Sequence, residues 1–193
     1  MDARHGTKFG PAVIDLSLAP GEGQAWDRSK ATIYLWAICE LIFVTNPWQV
    51  SSKLRVAILR MFGAEIGSNV IFRPRSRVKF PWKLAIGDNS WIGEGVWLHN
   101  QDQLTIGGNV VVSQEVFITN GSHAHRRDMA LLTRPVIIED GAWLTTRCIV
   151  LGGAVVGESS LVTPGTVVNG RIPPNTIWGS IGAGPVGLRF GEG

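Results

Sequence analysis

Large apolar residues recur at every sixth position through the middle of this 193-residue chain. A fixed short period of this kind is the signature of a repeat protein, and it limits the possible folds more than any other feature of the sequence. A small or aliphatic residue also stands two positions before each of them, from Ala64 to Thr166. The positions that follow the period are Ile66, Phe72, Val78, Ile86, Ile92, Leu98, Ile106, Val112, Ile118, Ile138, Leu144, Val150, Val156, Val162 and Val168.

Each six-residue unit is predicted to form one short strand and one tight turn, and three units to form one triangular coil. One coil cannot bury its own inner face, so stability must come from stacking coils on one another. Glycine directly follows the apolar residue at Gly67, Gly87, Gly93, Gly107 and Gly157, and we expect these glycines to supply the backbone freedom of the turns. The pattern predicts an all-β solenoid, a parallel β-helix of about five triangular coils.

Three breaks in the period fall at the third turn of a coil. The spacing is eight residues between Val78 and Ile86 and again between Leu98 and Ile106, and it is twenty between Ile118 and Ile138. The first two breaks predict bulged turns, and the third predicts a loop over residues 119–135. Since insertions gathered at one corner of a rigid solenoid mark its working surface, we expect the functional site there.

The N-terminal residues 1–63 are predicted to be an extension with helices that pack on the solenoid, which itself covers residues 64–175, followed by a tail at 176–193. Residues 31–50 are strongly apolar, but Glu40 lies among them and Asn46 and Pro47 interrupt them. Three alternatives remain open for this segment. It could be a helix packed on its own protein or on a partner subunit, a helix on a membrane surface, or a membrane span.

Residues 51–62 predict a short amphipathic helix that ends at Gly63. Its apolar face would carry Leu54, Ala57, Ile58, Met61 and Phe62, and Arg55 would lie off that face.

The net charge of +3 is small, and the basic residues are scattered except for a cluster at residues 73–79. These four residues occupy every second position of a strand-like stretch, which predicts that they line one solvated face or bind an anionic partner. No aromatic and basic motif for nucleic acids accompanies them. Two cysteines, Cys39 and Cys148, form no disulfide framework or zinc spacing, and no secretory segment is visible, so the cytoplasm is expected, with membrane association left open. The four basic residues are Arg73, Arg75, Arg77 and Lys79.

The sequence resembles the hexapeptide-repeat acyltransferases, and in particular the colanic-acid and exopolysaccharide acetyltransferase branch near the maltose and galactoside acetyltransferases. The resemblance covers residues 50–175. It implies that the β-helix is left-handed, that the protein is a homotrimer with each site between two subunits, and that acetyl-coenzyme A is the co-substrate. No metal is implied. The segments that carry it are LRMFGAEIG (59–67), FPWKLAIGDN (80–89), TNGSH (119–123) and PVIIEDGAW (135–143).

Acyl transfer from a thioester needs a base for the acceptor hydroxyl and a donor for the oxyanion. His123 stands at the root of the predicted loop, and histidine changes its charge near neutral pH, so it is the candidate general base, as the resemblance also implies. His125 is a candidate acceptor contact or a structural loop residue. Asn100 and Asp102, one coil below, could bind the acceptor, orient the imidazole or simply form the turn.

The resemblance assigns further roles along the coils. It implies that Trp143 lines the acceptor or pantetheine pocket, and that the backbone N–H of Thr146 is the oxyanion donor. Small residues would let coenzyme A approach the backbone. The usual C-terminal signature for its nucleotide is replaced here, which leaves Arg171 and Arg189 as candidates for its phosphates. The positions along which coenzyme A would run are Gly152, Gly153, Pro164 and Gly165.

Two other classes of function fit parts of the sequence. A zinc enzyme of the carbonic-anhydrase type uses the same helix and could draw on His99, His123 and His125. A non-catalytic β-helix that only binds or scaffolds is the other alternative, favoured by the changed C-terminal signature. We expect instead an O-acetyltransferase that acts on a sugar or glycolipid acceptor.

Overall fold

The fold is a parallel β-solenoid in a computed structural model that describes residues 13–179 and 184–188. Most strands are two or three residues long. The strands of the described residues, numbered along the chain, are β1 Glu65–Ile66, β2 Ile71–Phe72, β3 Arg77–Val78, β4 Leu84–Ile86, β5 Trp91–Ile92, β6 Trp97–His99, β7 Leu104–Ile106, β8 Val111–Val112, β9 Phe117–Thr119, β10 Gly121–His123, β11 Leu131–Thr133, β12 Val136–Ile138, β13 Trp143–Leu144, β14 Ile149–Val150, β15 Val155–Val156, β16 Leu161–Val162, β17 Val167–Val168, β18 Arg171–Ile172, β19 Thr176–Gly179 and β20 Gly184–Leu188.

Three sheets form the faces of a triangular prism, and their strands are parallel except for β20, which pairs antiparallel with β19. Face A has the order β1-β4-β7-β12-β15-β18, face B the order β2-β5-β8-β13-β16-β19-β20, and face C the order β17-β14-β9-β6-β3. Five coils are complete, as predicted, and β18 and β19 add part of a sixth. Face B therefore continues beyond residue 175, where β19 pairs with β16.

The predicted inward positions are confirmed. All fifteen period-six residues are buried, and the most exposed of them, Ile66, keeps only 8% of its surface. The positions two residues earlier are also buried, except for the partly buried Val70. The core is thus one continuous column of stacked side chains, which none of the coils could form alone.

The left-handed backbone conformation recurs three residues after each inward residue at the turns that leave faces A and B. Asparagine tolerates this conformation better than most residues. Positive φ angles at this repeat position are found at Asn69, Arg75, Asn89, Gly95, Asn109, Glu115, Gly141, Arg147, Gly153, Ser159, Gly165 and Asn175; of these, Gly153 belongs to a turn that leaves face C.

The glycines that directly follow the inward residue do not have this conformation, so the role predicted for them is wrong. They are needed because the next coil passes too close for a side chain. A Cβ on Gly87 would lie 2.4 Å from the backbone nitrogen of Gly108, and one on Gly93 would lie 2.7 Å from the carbonyl carbon of Ser113.

The four clustered basic residues do not share one face, contrary to prediction, because the chain turns between them. Arg73 follows the end of β2 on face B, and Arg75 has a φ of 59° at the turn, where it pairs with Glu94. Arg77 and Lys79 belong to face C.

Two α-helices precede the solenoid in the part of the chain described from residue 13. Helix α1, Lys30–Cys39, continues as a π-helix, Glu40–Thr45, and α2 spans Ser52–Met61. Short 3-10 helices lie at Leu16–Leu18 and Gly23–Ala25. Helix α2 ends as predicted, with Gly63 at φ +96° just beyond its C-cap. Within the described residues, no helix is long and apolar enough to cross a bilayer.

Helix α2 covers the open end of the first coil with a face that matches the prediction only in part, because Ile58 and Phe62 pack against the core as predicted. Arg55, Val56 and Leu59 are its buried residues, whereas Leu54 and Met61 are 41% and 68% exposed. The Arg55 guanidinium donates to the carbonyl oxygens of Val44, Phe72 and Gln49, which would otherwise be buried or edge acceptors without a donor. Burial lowers the pKa of Arg55.

The close approach of the coils predicts that substitutions at two glycines of one turn have different effects on the free energy of unfolding. Gly93→Ala should lower the free energy of unfolding by about 1–3 kcal/mol, because its Cβ would strike backbone atoms of the next coil. Gly95→Asn should be nearly neutral, since asparagine occupies the same repeat position at Asn69 and Asn89 and the nearest atom is the flexible Glu115 side chain. Denaturant unfolding measures both, and equal losses would contradict this account.

Candidate active site

The long insertion predicted as a loop is an antiparallel β-hairpin. Strands β10 and β11 pair in the register Gly121↔Thr133 and His123↔Leu131, and the backbone N–H of Ala124 donates to the carbonyl of Ala130. The hairpin leaves the prism at the corner between faces C and A, which the spacing breaks predicted. Its backbone bonding makes it an ordered element that can hold a side chain in one place.

Two buried asparagines hold this corner together. Asn100 and Asn120 are each 1% exposed and lie one coil apart at the same turn. The side chain of Asn100 accepts the Phe80 N–H and donates to the Phe80 carbonyl, and Asn120 bonds to Asp102 in the same way. The side-chain amide of Asn100 is therefore already hydrogen-bonded to the turn of the coil below it.

His123 is exposed near the end of β10, and its Nδ1 atom lies 2.9 Å from the carbonyl oxygen of Met129. A carbonyl can only accept a hydrogen bond, so Nδ1 carries the proton in the neutral ring. The Nε2 atom is then an acceptor. The turn of the hairpin thus selects the tautomer that a general base requires.

A cleft of about 350 Å³ adjoins this imidazole on the face C side of the hairpin. His125 shares it, and its backbone N–H donates to the His123 carbonyl at 2.7 Å. Gly152 lines the cleft from the coil above, where a Cβ would come within 3.0 Å of the Asn120 carbonyl oxygen. The lining residues are Asn120, Gly121, Ser122, His123, His125, Leu132, Arg134, Leu151, Gly152 and Asn169.

Three predicted residues at the same corner, Asn100, Asp102 and Gly153, do not line the cleft. Asn100 lies one coil below it. Asp102 follows the same turn, where its Oδ1 accepts the N–H of Gln103. Gly153, with φ +87°, is the turn residue after Gly152 and packs against Arg134.

The other predicted residues lie on other parts of the prism. Trp143 is on β13 of face B and donates from Nε1 to Ser113 Oγ. Thr146 and Gly165 lie at the corner between faces B and C, where the Gly165 N–H donates to the Thr146 carbonyl. Pro164 precedes Gly165 in that turn. A single chain does not bring these residues to His123.

Of the two predicted phosphate-binding arginines, only Arg171 belongs to the described residues, and it does not line the cleft. Arg171 begins β18 on face A and lies 3.6 Å from a carboxylate oxygen of Glu139. Arg189 lies outside the described residues.

Arg134, Leu132 and Asn169 line the cleft but were not predicted from the sequence. Arg134 and Leu132 belong to the returning side of the hairpin, whose pairing register is set by the fold. Asn169 directly follows the inward residue Val168, at the corner that the breaks had marked. The position of Asn169 in the repeat could therefore have indicated that this residue lines the cleft.

The three histidines considered for a zinc site are not assembled into one. Within residues 13–179 and 184–188, no group of three histidine, cysteine, aspartate or glutamate side chains could hold a metal ion. The ring of His99 instead bonds through Nδ1 to Thr119 Oγ1 at 3.1 Å.

The fold matches solved acetyltransferase structures. A hexapeptide-repeat-containing acetyltransferase of Vibrio cholerae, complexed with acetyl-coenzyme A, superposes with a TM-score of 0.76 at 22% identity, covering 84% of this chain and 89% of that one. A galactoside acetyltransferase in complex with coenzyme A gives a TM-score of 0.72 at 18% identity, covering 90% of this chain and 84% of that one. The fold is thus the left-handed parallel β-helix of these enzymes.

Sequence comparison identifies the family. No protein-family model matches the chain. It is 36% identical over 143 residues to a provisionally named colanic acid biosynthesis acetyltransferase, WcaF, of Escherichia coli K12, covering 74% of this chain and 78% of the relative. It is 23% identical over 127 residues to the galactoside O-acetyltransferase of the same organism, covering 64% and 63%. The chain belongs to the hexapeptide-repeat acetyltransferase family and is an acyltransferase.

Proposed function

We propose that the protein is an acetyl-coenzyme A-dependent O-acetyltransferase, which acetylates a sugar hydroxyl of a polysaccharide or glycolipid precursor with His123 as general base. The observation that carries the proposal is the hydrogen bond from His123 Nδ1 to the Met129 carbonyl, because it leaves Nε2 free to accept a proton at the edge of the cleft. The names of the relatives, which refer to colanic acid biosynthesis and to galactosides, support a sugar as acceptor.

The reaction needs only proton transfer and positioning from this chain. Nε2 of His123 removes the proton of the acceptor hydroxyl while the hydroxyl oxygen attacks the thioester carbonyl carbon. The carbon–sulfur bond then breaks, and the imidazolium returns the proton to the departing thiolate. The products are an acetyl ester and free coenzyme A.

Acetyl-coenzyme A is the proposed co-substrate, as in the Vibrio cholerae structure. Gly152 lines the cleft beside the hairpin, and we propose that the pantetheine arm passes along it. The backbone N–H of Thr146 remains our proposed oxyanion donor. Since Thr146 and His123 lie at different corners of one chain, the donor would come from a neighbouring copy.

We propose a homotrimer for this reason. Residues from the corner between faces B and C can meet the hairpin only if two copies contribute to one site. Face B also presents an apolar outer surface that a second copy would cover. Its outward-facing residues are Ile71, Trp91, Val111, Trp143, Leu161 and Ile177.

We also propose that the outer surface of α1 and the following π-helix rests on a membrane that carries anionic lipids. The exposed charges between residues 28 and 63 are all positive (Arg28, Lys30, Lys53 and Arg60), which suits anionic headgroups. Glu40 is turned inward to the Val78 N–H. The exposed apolar side chains of the two helices are Tyr34 at 61%, Leu35 at 54%, Ile38 at 56%, Leu41 at 67% and Ile42 at 48%, and Trp48 in the turn that follows is 89% exposed.

For the base, His123→Ala should lower kcat by about 10²–10⁴-fold and leave the KM for acetyl-coenzyme A unchanged. His125→Ala, in the same hairpin, should raise the KM for the acceptor with a much smaller effect on kcat. Steady-state kinetics with a soluble oligosaccharide measures both. Wild-type kcat in His123→Ala would refute the proposed role.

For the trimer, Trp91→Arg on face B should convert trimers to monomers and abolish activity, because it places a charge in the apolar contact. Ile137→Arg is the matched control on face A, where the side chain is 40% exposed, and it should remain trimeric. Sedimentation velocity measures the state. An active wild-type monomer would contradict the proposal.

For the membrane surface, Ile38→Asp/Leu41→Asp should abolish flotation with vesicles that contain phosphatidylglycerol, and Ile137→Asp should not. The wild-type protein should float less with pure phosphatidylcholine, since attraction to the basic residues is lost. If the wild-type protein floats with neither vesicle, the surface is covered by protein and the proposal fails.

A further inference from the structure

A second cleft, of about 210 Å³, lies between α1 and face C at the first two coils. Its floor is formed by outward-facing side chains of face C, Arg77, Lys79, Trp97 and His99. Trp26 and Glu40, from the N-terminal segment, line it from the other side. None of these residues has a part in the acetyl transfer described above.

The floor of this second cleft carries two cations, Arg77 and Lys79, that form no salt bridge within the described part of the chain. Among the described side chains, the ion pairs are formed by other basic residues. The Arg77 guanidinium lies 4.2 Å from the ring centroid of Trp97, and this stacking holds it in the cleft wall. Glu40 is the one carboxylate in the lining, and its Oε1 accepts the Val78 N–H at 2.7 Å. Burial raises the pKa of Glu40, while the charges of Arg77 and Lys79 lower it in part.

The aromatic side chains give the cleft a flat, partly apolar wall. Trp26 is 38% exposed, so one side of its indole is open to a ligand. The face of a sugar ring packs well on such a surface, while its polar edge can reach the floor. Aromatic walls with cations at one end are suited to a sugar that bears an anionic group.

A continuous row of residues joins the two clefts. His99 pairs in register with Thr119 of the next coil. Leu151 and Asn169 continue the row in the two coils after that, because each directly follows an inward residue that is paired in the same register. Lys79 lies in the same row, one coil before His99. Parallel strands are spaced by about 4.8 Å, so Lys79 and Leu151 are about 14 Å apart along the row. That is the length of a short oligosaccharide.

We infer that the second cleft is a subsite for the acceptor glycan, and that it binds an anionic group several bonds away from the hydroxyl that is acetylated near His123. Arg77 and Lys79 contact the anion, and Trp26 packs on the sugar ring that carries it. The inference rests on the proposed function, because it takes the acceptor to be a glycan. It adds that this glycan is extended and acidic.

The lowered pKa of His99 is consistent with a positively charged cleft. Burial lowers the pKa of His99, and the charges of Lys79 and Arg77 lower it further, against an opposite effect of Glu22. A bound anion would offset the two cations and raise that pKa. This gives a readout of binding that does not depend on turnover.

The kinetic test uses acceptors that differ only at the end far from the acetylated sugar. One is a neutral trisaccharide, one carries a uronic acid there, and one carries a diphosphate, so that the two sources of an anion are distinguished. Arg77→Gln/Lys79→Gln should raise the KM for the preferred charged acceptor at least about tenfold, since hydrogen bonds to charged groups are lost. The kcat, the KM for acetyl-coenzyme A and the KM for the neutral acceptor should not change.

Arg75→Gln is the matched control. It removes an arginine two residues from Arg77 whose side chain pairs with Glu94 at 3.3 Å, outside the cleft, and it should leave every KM unchanged. If the double variant does not fold, the same KM comparison is made with the single variant Lys79→Gln. Equal wild-type KM values for neutral and charged acceptors, or an equal loss for both in the double variant, would overturn the inference.

Binding is measured separately in the His123→Ala protein by NMR titration of His99 with and without the uronic acid trisaccharide. A raised pKa that disappears in Arg77→Gln/Lys79→Gln supports the subsite even if no acetyl transfer is found. An unchanged titration at saturating trisaccharide, together with equal KM values, overturns the subsite while leaving the proposed acetyl transfer intact.

Discussion

The close stacking of parallel coils is the constraint on which the rest of the structure depends. Strands of neighbouring coils are held about 4.8 Å apart by their backbone hydrogen bonds, and every outward or inward position must repeat at that spacing. Glycine is required where one backbone passes directly over another, as at Gly87 and Gly93. A buried asparagine is required where a wider turn leaves backbone groups to be satisfied, as at Asn100 and Asn120.

This rigid spacing explains how short strands can position functional groups. The hairpin emerges from a corner already held by Asn120, and its own turn supplies the Met129 carbonyl that orients His123. The N-terminal segment reinforces the same corner, since Ala25 packs with Phe80 and Leu131 of the hairpin. The residues before the solenoid therefore support the hairpin that carries His123 and also form one wall of the second cleft.

The solenoid and the candidate base could be predicted from the sequence, because a period of six and the breaks in it are visible without any contact information. The role of the glycines could not, since it depends on how closely the next coil passes. The packing face of α2 was predicted only in part, since Ile58 and Phe62 pack against the core but Leu54 and Met61 are exposed. Hydrophobicity placed Arg55 outside the core, whereas three backbone carbonyls at the end of the prism need its donors.

By itself the sequence determined the column of inward residues, the corner that carries the insertion and the histidine within it, because each of these is a matter of residue type and spacing along one chain. Only the tertiary structure decided which residues face His123, that Asn100 bonds to the turn below, and that Arg77 and Lys79 meet Trp26 in a second cleft. Those relations join segments far apart in the chain, and the spacing of residues does not encode which surfaces come together.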